Sequence, residues 1–565
     1  MSWPGKADCF RTIQMPSLGT LRPAPEESVN FDTSENLIIE GDNLEVLKLL
    51  QKSYLGKVKM IYIDPPYNTG NDFIYPDNYS ESLRTYLKYT GQVDAEGRKF
   101  GTNTDADGRF HSKWLNMMYP RLYLARNLLR EDGCFFISVD GHEVDNLRKI
   151  CNEIFGEENL VCSFVWEKRY SPPPDTKDVG YVHEEVLFYR KSEKYSMGIL
   201  PFTEEQTARY KNPDKDQRGP WKAMDYTCRY TADERPNLYY PVINPSTGEE
   251  VWPKRTRVWA FSKETHAKNE AEDRIWWGTN GRASTPALKN FFSEIQQGMM
   301  PMSLLRHEVV GNTDEATKEL REFFPDFKYT PKPKRLLKHL AQIANLEASD
   351  VMLDFFAGSG TTAQAVLDLN QGDKGNRKFI LVQLPEPTDR EDYPTIADIT
   401  KERVRRVIKK LNDEDAGKLD LDGDNKQDRG FRVFKLYESN FKPWNAEGPH
   451  DAEALGEQLD MHVEHIREGR AEDDILYELL LKSGYPLTAP VETLTLADKT
   501  VHSVADGALY ICLERELTLE LIRAMAGLNP ERVVCLDEGF AGNDQLKANA
   551  VQIFKTKGII SFKTV

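Results

Sequence analysis

Residues 61–70 read Ile-Tyr-Ile-Asp-Pro-Pro-Tyr-Asn-Thr-Gly, an apolar run that ends in an acid, two imino acids and an aromatic ring. Such a tip is a poor continuation of a strand, because a proline donates nothing to a ladder. It is a better place to activate a weakly nucleophilic amine. The lone pair of an exocyclic amino group on a nucleobase is delocalised into the ring, so the group needs acceptors for both N–H bonds before it can attack. Asp64 offers carboxylate oxygens, and Pro65 keeps a free carbonyl. The rings of Pro65 and Pro66 restrict backbone motion, which fixes both acceptors in advance. Tyr67 adds a ring on which a base can stack, and a base in a duplex must be flipped out to reach it.

A second cluster lies far down the chain. Val351-Met-Leu-Asp-Phe-Phe-Ala-Gly-Ser-Gly-Thr-Thr362 reads as a strand, a tight turn and a helix start. A Gly-Ser-Gly turn lets backbone approach a ligand at the carboxyl end of a strand. A triphosphate loop needs Gly-Lys-Ser/Thr, but Gly360 is followed by Thr361 and Thr362, and the third glycine of a dinucleotide loop is missing. A cofactor with a sulfonium and a ribose fits better. Asp354 would face an ammonium or the turn amides, and an acid after the next strand would hold ribose hydroxyls. That strand ends Val382-Gln383-Leu-Pro-Glu386, with Gln383 where the acid is expected and Glu386 three residues on.

Metal ligands are poorly supplied, and none is expected. The seven cysteines form no CxxC pair. Asn103-x-Asp105-x-Asp107-Gly108 opens like a calcium loop, but position twelve is Trp114 rather than glutamate. Asp422-Gly-Asp424 reads as solvated charge, and residues 91–108, polar and Gly-rich, as a flap beside the site.

Both clusters need strands to carry them. Leu37–Asp42, Lys59–Ile63, Cys134–Val139, Phe164–Glu167 and Val186–Tyr189 are predicted strands, with helices over Asn43–Lys52 and His111–Leu129. After a Pro-, Asn-, Gly- and Trp-rich stretch at about 190–325, the pattern resumes. A helix is predicted over Arg335–Ala344, a strand over Val351–Phe355, a helix over Thr361–Leu369 and a strand over Phe379–Leu384. Interrupted and resumed βα units predict one doubly wound sheet with a domain inserted. From about 450 a long helix and a small α/β unit are expected, with strands near Tyr510–Leu513, Arg532–Leu536 and Ile559–Lys563.

At 565 residues the chain holds two or three domains. No apolar run approaches the roughly 20 residues of a membrane span, and Met1-Ser-Trp-Pro-Gly-Lys6 carries no signal-peptide core. A cytoplasmic protein is expected. The net charge of −16 argues against a general polyanion binder but is unevenly spread. Residues 441–565 hold 12 Lys+Arg against 21 Asp+Glu, whereas residues 201–300 hold 15 against 14 and carry five of the nine tryptophans. The near-neutral, aromatic middle suits a nucleic-acid surface or a plain globular insert equally.

Asp-Pro-Pro-Tyr followed by Asp-Phe-Phe-Ala-Gly-Ser-Gly-Thr-Thr resembles the motif order of the β class of S-adenosylmethionine-dependent DNA amino-methyltransferases. There the catalytic motif precedes the cofactor loop, with a target-recognition domain between them. Longer strings resemble the Mod subunits of type III restriction–modification systems: Asp64-Pro-Pro-Tyr-Asn-Thr-Gly-Asn-Asp-Phe73, Trp114-Leu-Asn-Met-Met-Tyr-Pro-Arg-Leu122, Asn237-Leu-Tyr-Tyr-Pro-Val-Ile-Asn-Pro245 and Arg532-Val-Val-Cys-Leu-Asp-Glu-Gly-Phe-Ala-Gly-Asn-Asp544. The likeness covers about residues 30–565.

The resemblance implies an α/β protein with a doubly wound, Rossmann-like methyltransferase sheet, an inserted target-recognition domain and a small C-terminal α/β domain. Its expected layout is an N-terminal extension (1–30), a catalytic half (31–190), the DNA-reading insert (191–325), a cofactor half (326–410), a linker and strand (411–440) and a C-terminal domain (441–565). The implied reaction is methylation of adenine N6 from S-adenosylmethionine, with Asp64, Pro65, Pro66 and Tyr67 catalytic. Cofactor contacts are implied at Asp354, Phe356, Ala357, Gly358, Ser359, Gly360 and Thr361, at Lys332 of a Lys-Pro pair, and at Gln383, which departs from the usual acid. Asp42 matches an acidic position near the cofactor, or simply caps the helix after it. His183-Glu184 falls near a further motif, with a surface role equally open. Arg255, Arg257 and Trp259 are the expected DNA contacts. Implied partners are double-stranded DNA, the helicase–nuclease restriction subunit and a second copy of the chain, with the acidic C-terminal domain mediating dimerisation or docking. No membrane is implied. Two rivals share these residues: methylation of cytosine N4, and a specificity subunit with dead chemistry.

Overall fold

The computed structural model describes residues 1–69, 110–172, 179–295, 298–327, 329–388, 390–416, 427–442, 465–540 and 542–565. The expected flap, the calcium-like segment at 103–108, Asp422-Gly-Asp424 and the helix near 450 lie outside the described residues.

Ten strands form one mixed sheet: β1 (Gly19–Pro23), β2 (Leu37–Glu40), β3 (Val58–Ile63), β4 (Leu129–Val139), β5 (Leu160–Glu167), β6 (His183–Arg190), β7 (Leu304–Leu305), β8 (Val351–Asp354), β9 (Lys378–Gln383) and β10 (Arg432–Glu438). Their order is β1-β10-β2-β9-β8-β3-β4-β6-β5-β7. From β10 to β4 neighbours run parallel, whereas β1 and β6 pair antiparallel with theirs. Every residue of β3 is buried, as a strand covered on both faces requires. β3 and β8 are adjacent, with Met352 opposite Met60 and Leu353 opposite Ile61, so Asp64 and the glycine loop emerge at the same carboxyl edge.

Helices Asn43–Tyr54, Phe110–Leu128, Val144–Phe155, Lys334–Ile343, Thr361–Asp373 and Ile396–Asp415 connect or follow these strands. Leu129, expected to end a helix, instead opens β4, because it pairs with Val58.

Two domain boundaries differ from expectation. The insert is a compact unit over Ile199–Pro301, narrower than 191–325. Its expected flanks belong to the main unit: β7 pairs with β5, and Leu320 of helix Thr313–Phe323 and Phe324 just after it share a core with Ile399. The C-terminal region is not separate by contacts either. Helix Glu472–Ser483 sends Ile475, Leu476, Leu479 and Leu480 into the core that also holds Leu21, Leu47 and Phe434, and the strands Val491–Leu496, Lys499–Val504, Leu509–Cys512, Arg532–Cys535 and Ser561–Thr564 form its own five-stranded sheet. The N-terminal stretch supplies an edge strand, β1, which pairs with β10.

Within the insert, Tyr226, Tyr240, Val242, Trp259 and Trp277 form a small core. Trp259 is fully buried and donates its indole N–H to the Tyr240 carbonyl at 2.6 Å, so it is a core residue rather than the expected DNA contact. Arg255 is exposed, and Arg257 is held by Asp225 (3.2 Å) and the Thr227 carbonyl (3.0 Å). Among the described residues no helix is long and apolar enough to cross a membrane.

Candidate active site

Asp64 follows β3 directly, and its carboxylate is the centre of a charged cluster. The Tyr67 hydroxyl donates to Asp64 Oδ1 at 2.6 Å, and Lys332 Nζ donates to Asp64 Oδ2 at 2.7 Å and to the Tyr67 oxygen at 2.7 Å. Glu184, at the amino end of β6, lies 3.0 Å from the Tyr67 hydroxyl, 3.4 Å from Lys332 and 2.9 Å from Lys168. Because β6 runs against β4, its amino end meets the carboxyl ends of the parallel strands, which brings Glu184 to this edge. Burial alone would lower the Lys332 pKa, but Asp64 and Glu184 raise it above the usual lysine value. Burial would raise that of Glu184, and the two lysines more than offset this. The Tyr67 phenol is pushed well above its ordinary value by burial and by the neighbouring Asp64 charge.

The loop carrying these groups is fixed from below. Trp114, fully buried in helix Phe110–Leu128, donates to the Pro66 carbonyl at 2.7 Å. Asn68 adopts a left-handed backbone (φ 61°), and its amide donates to the buried Glu143 at 2.6 Å. Glu143 also accepts from Asn146 at 2.8 Å and meets His111 at 2.7 Å. The Pro65 carbonyl and the Asp64 carboxylate thus sit on a braced turn.

At the end of β8 the glycine loop is braced just as closely. Asp354 is buried; its Oδ1 accepts the Phe356 N–H at 3.0 Å and its Oδ2 the Thr362 hydroxyl at 2.5 Å. Its carboxylate is therefore engaged by one backbone N–H and one hydroxyl that flank the glycine turn. Burial drives its pKa up to about 7. Gly358 (φ 52°) and Gly360 (φ 82°) occupy left-handed backbone that favours glycine. Arg403, buried in helix Ile396–Asp415, donates to the hydroxyls of Ser359 and Thr361 at 2.8 Å each and to Gln364 at 2.8 and 3.0 Å. Burial lowers its pKa to about 10.

Between the two motifs is a cavity of about 270 Å³, lined on one side by Asp64, Pro65, Pro66 and Lys332, and on the other by Asp354, Phe356–Ser359, Thr361, Gln383 and Glu386. A Cβ added to Gly358 would meet no atom within 4 Å and would project into open space. Gln383 accepts the Gly358 N–H at 2.7 Å and donates to the Leu384 carbonyl at 2.9 Å, so its amide is spent on shaping the loop. Glu386, also on the cavity, makes no side-chain hydrogen bond or ion pair among the described residues, and burial raises its pKa to about 7. An unpartnered carboxylate, an apolar wall at Phe356 and a glycine cradle fit a ribose-bearing cofactor.

One expected cofactor contact, Asp42, is corrected, and Lys332 has its charge engaged elsewhere. Asp42 does not line this cavity; it caps helix Asn43–Tyr54, accepting from Leu44 (2.9 Å) and Glu45 (3.3 Å), and pairs with the buried Arg121 (3.3 Å). Lys332 lines the cavity but spends its ammonium on Asp64, Tyr67 and Glu184. Arg403, Glu143 and Lys168 were given no role in the sequence, and Trp114 only a place in a helix and a matching string: each is an ordinary helix or strand-end residue until the fold places it.

Residues 58–386 match a family model described as a DNA methylase, and that makes the chain a DNA methyltransferase. The chain is 29% identical to the Mod subunit of the type III restriction–modification enzyme EcoP15I of Escherichia coli, over 100% of this chain and 91% of that one. It is 30% identical to the EcoPI Mod subunit of Escherichia phage P1 (96% and 85% covered) and 35% identical to the StyLTI Mod subunit of Salmonella typhimurium (67% and 58%). The chain belongs to the Mod subunits of type III restriction–modification enzymes.

Proposed function

We propose that this Mod subunit methylates N6 of an adenine flipped from double-stranded DNA, in the cavity between Asp64 and the glycine loop. The observation that carries the reading is the placement of both motifs on adjacent parallel strands around one cavity. S-adenosylmethionine, when bound, supplies a methyl group activated by a sulfonium. Phe356, Gly358 and Glu386 are the residues that would hold it, with Glu386 taking the ribose hydroxyls in place of Gln383. Asp64 and the Pro65 carbonyl accept the two amine N–H bonds, localise the lone pair and aim it. Asp64 is also placed to take the proton that the amine loses. For its ring to stack on the base, the Tyr67 hydroxyl gives up its bond to Asp64. Membership among type III Mod subunits favours adenine over cytosine.

The Ile199–Pro301 insert is assigned to sequence reading, with the exposed Arg255 and the neighbouring Arg257 toward DNA. Docking of a restriction subunit and of a second copy is assigned to the acidic residues 441–565, and a cytoplasmic setting follows from the substrate. Mass spectrometry of nucleosides from DNA methylated by the purified protein tests the assignment: N6-methyladenine is expected, and N4-methylcytosine alone would refute it.

Glu386→Gln is expected to weaken cofactor binding by about 10–100-fold, the worth of hydrogen bonds to a charged acceptor. Only the ionised carboxylate accepts both hydroxyls, so wild-type affinity falls as pH drops below about 7, and the variant loses this part of the pH dependence. Stability without cofactor runs the other way. The folded value of about 7 lies above the ordinary 4.5, so this group's contribution is full below pH 4.5 and is lost as pH rises through 7. Calorimetric titration of S-adenosylmethionine between pH 6 and 8 reads the binding effect.

A further inference from the structure

The cluster around Asp64 contains a conflict. The carboxylate that must accept amine protons already has both oxygens engaged, Oδ1 by Tyr67 and Oδ2 by Lys332. A cation at 2.7 Å withdraws charge from the acceptor on which activation of the amine depends. Lys332 cannot simply leave, because its side chain is only 11% exposed, and an ammonium so shielded requires a counter-charge.

Glu184 resolves the conflict. Its Oε1 is held by Lys168 at 2.9 Å, and its Oε2 stands 3.4 Å from Lys332, so a shift of under about 1 Å turns the longer contact into a full ion pair. The Tyr67 hydroxyl is the wedge between them: it lies 3.0 Å from Glu184 Oε2 and 2.7 Å from Lys332. When the phenol leaves to let the ring stack, it frees the Glu184 oxygen and releases Lys332 in the same movement. We propose that Glu184 is a positioning residue that takes the Lys332 ammonium from Asp64 as the base arrives, so that the Asp64 carboxylate meets the amine with its charge undivided. The inference rests on Asp64 being the acceptor of the amine.

Glu184→Gln preserves shape and removes the charge, which leaves Lys332 no carboxylate but Asp64 to pair with among the described residues. It is expected to lower kcat by about tenfold or more, with affinity for S-adenosylmethionine unchanged. Adding Lys332→Met removes the competing cation, so the double variant should be faster than Glu184→Gln alone. A second readout needs no Lys332 variant. Wild type should bind a cognate duplex with adenine at the target more tightly than one with purine, which lacks the amine; Glu184→Gln should lose that preference. A Glu184→Gln protein with normal kcat, a double variant no faster than the single one, or a retained adenine preference would each overturn the proposal. Asp64→Ala separates the two levels. If it still methylates, the underlying reading fails; if it is inactive while Glu184→Gln is normal, only the handover fails.

Discussion

Asp64→Ala is expected to lower the methylation rate by about 10²–10³-fold or more, the scale of removing one preorganised electrostatic partner from a transition state. The reasoning is local. Alanine removes one of the two acceptors of the amine and the group placed to take its proton, while the Pro65 carbonyl alone cannot localise the lone pair. The fold should survive, since Trp114 and Glu143 brace the turn through Pro66 and Asn68 rather than through Asp64. Lys332 keeps Glu184 as a counter-charge at 3.4 Å. Tritiated methyl transfer to cognate DNA, with cofactor affinity and thermal unfolding measured on the same preparation, checks it. Equal methylation by both proteins would remove the catalytic assignment.

The second large effect is expected at a residue remote from the reacting atoms. Arg403→Ala strands the Gln364 amide oxygen and removes the donor shared by the Ser359 and Thr361 hydroxyls, and of these acceptors Gln364 and Thr361 are buried. Each buried acceptor left without a partner costs about 1–3 kcal/mol, so a loss of about 3 kcal/mol or more is expected. The loop that cradles the cofactor is the part that loosens, and affinity for S-adenosylmethionine should drop by at least about tenfold. Arg403→Lys should rescue little, because one ammonium cannot reproduce the planar fork that spans the loop and the helix. Isothermal titration and a thermal melt measure the two consequences. A wild-type melt with wild-type affinity would show that the fork is dispensable.

What was legible in the sequence had its chemistry in a short contiguous string at a strand end. Asp64–Tyr67 and Asp354–Thr362 announce themselves because proline and glycine have few other reasons to follow a buried strand. The parallel sheet followed from apolar runs alternating with helical spacing. Partners supplied by other elements were hidden. Arg403 sits in Lys401-Glu-Arg-Val-Arg-Arg-Val407, where it looks like any cation on a solvated helix face, and only the packing of that helix on the glycine loop distinguishes it. Glu184 was visible beside His183 without a function, because its three partners come from residues 67, 168 and 332. Asp42 shows the reverse: a single acid before a helix satisfies the N-cap pattern and a cofactor pattern alike, and the amides of Leu44 and Glu45 decide for the cap. The strand pattern and the resemblance gave a C-terminal α/β domain, but not that the apolar side chains of helix Glu472–Ser483 join the main core.

The two ends of the insert are tied directly to each other. Leu200 and Met299 exchange both backbone hydrogen bonds, at 2.9 and 2.8 Å, so the chain departs and returns through a single antiparallel rung. Meanwhile β3 and β8 are aligned by their own ladder and not by the intervening chain. The stretch between the rungs is thereby released from any duty to keep the chemistry in register, and lengthening such a closed excursion is thermodynamically cheap. If this stretch reads sequence as proposed, its replacement would change the DNA address and leave the transfer machinery unaltered.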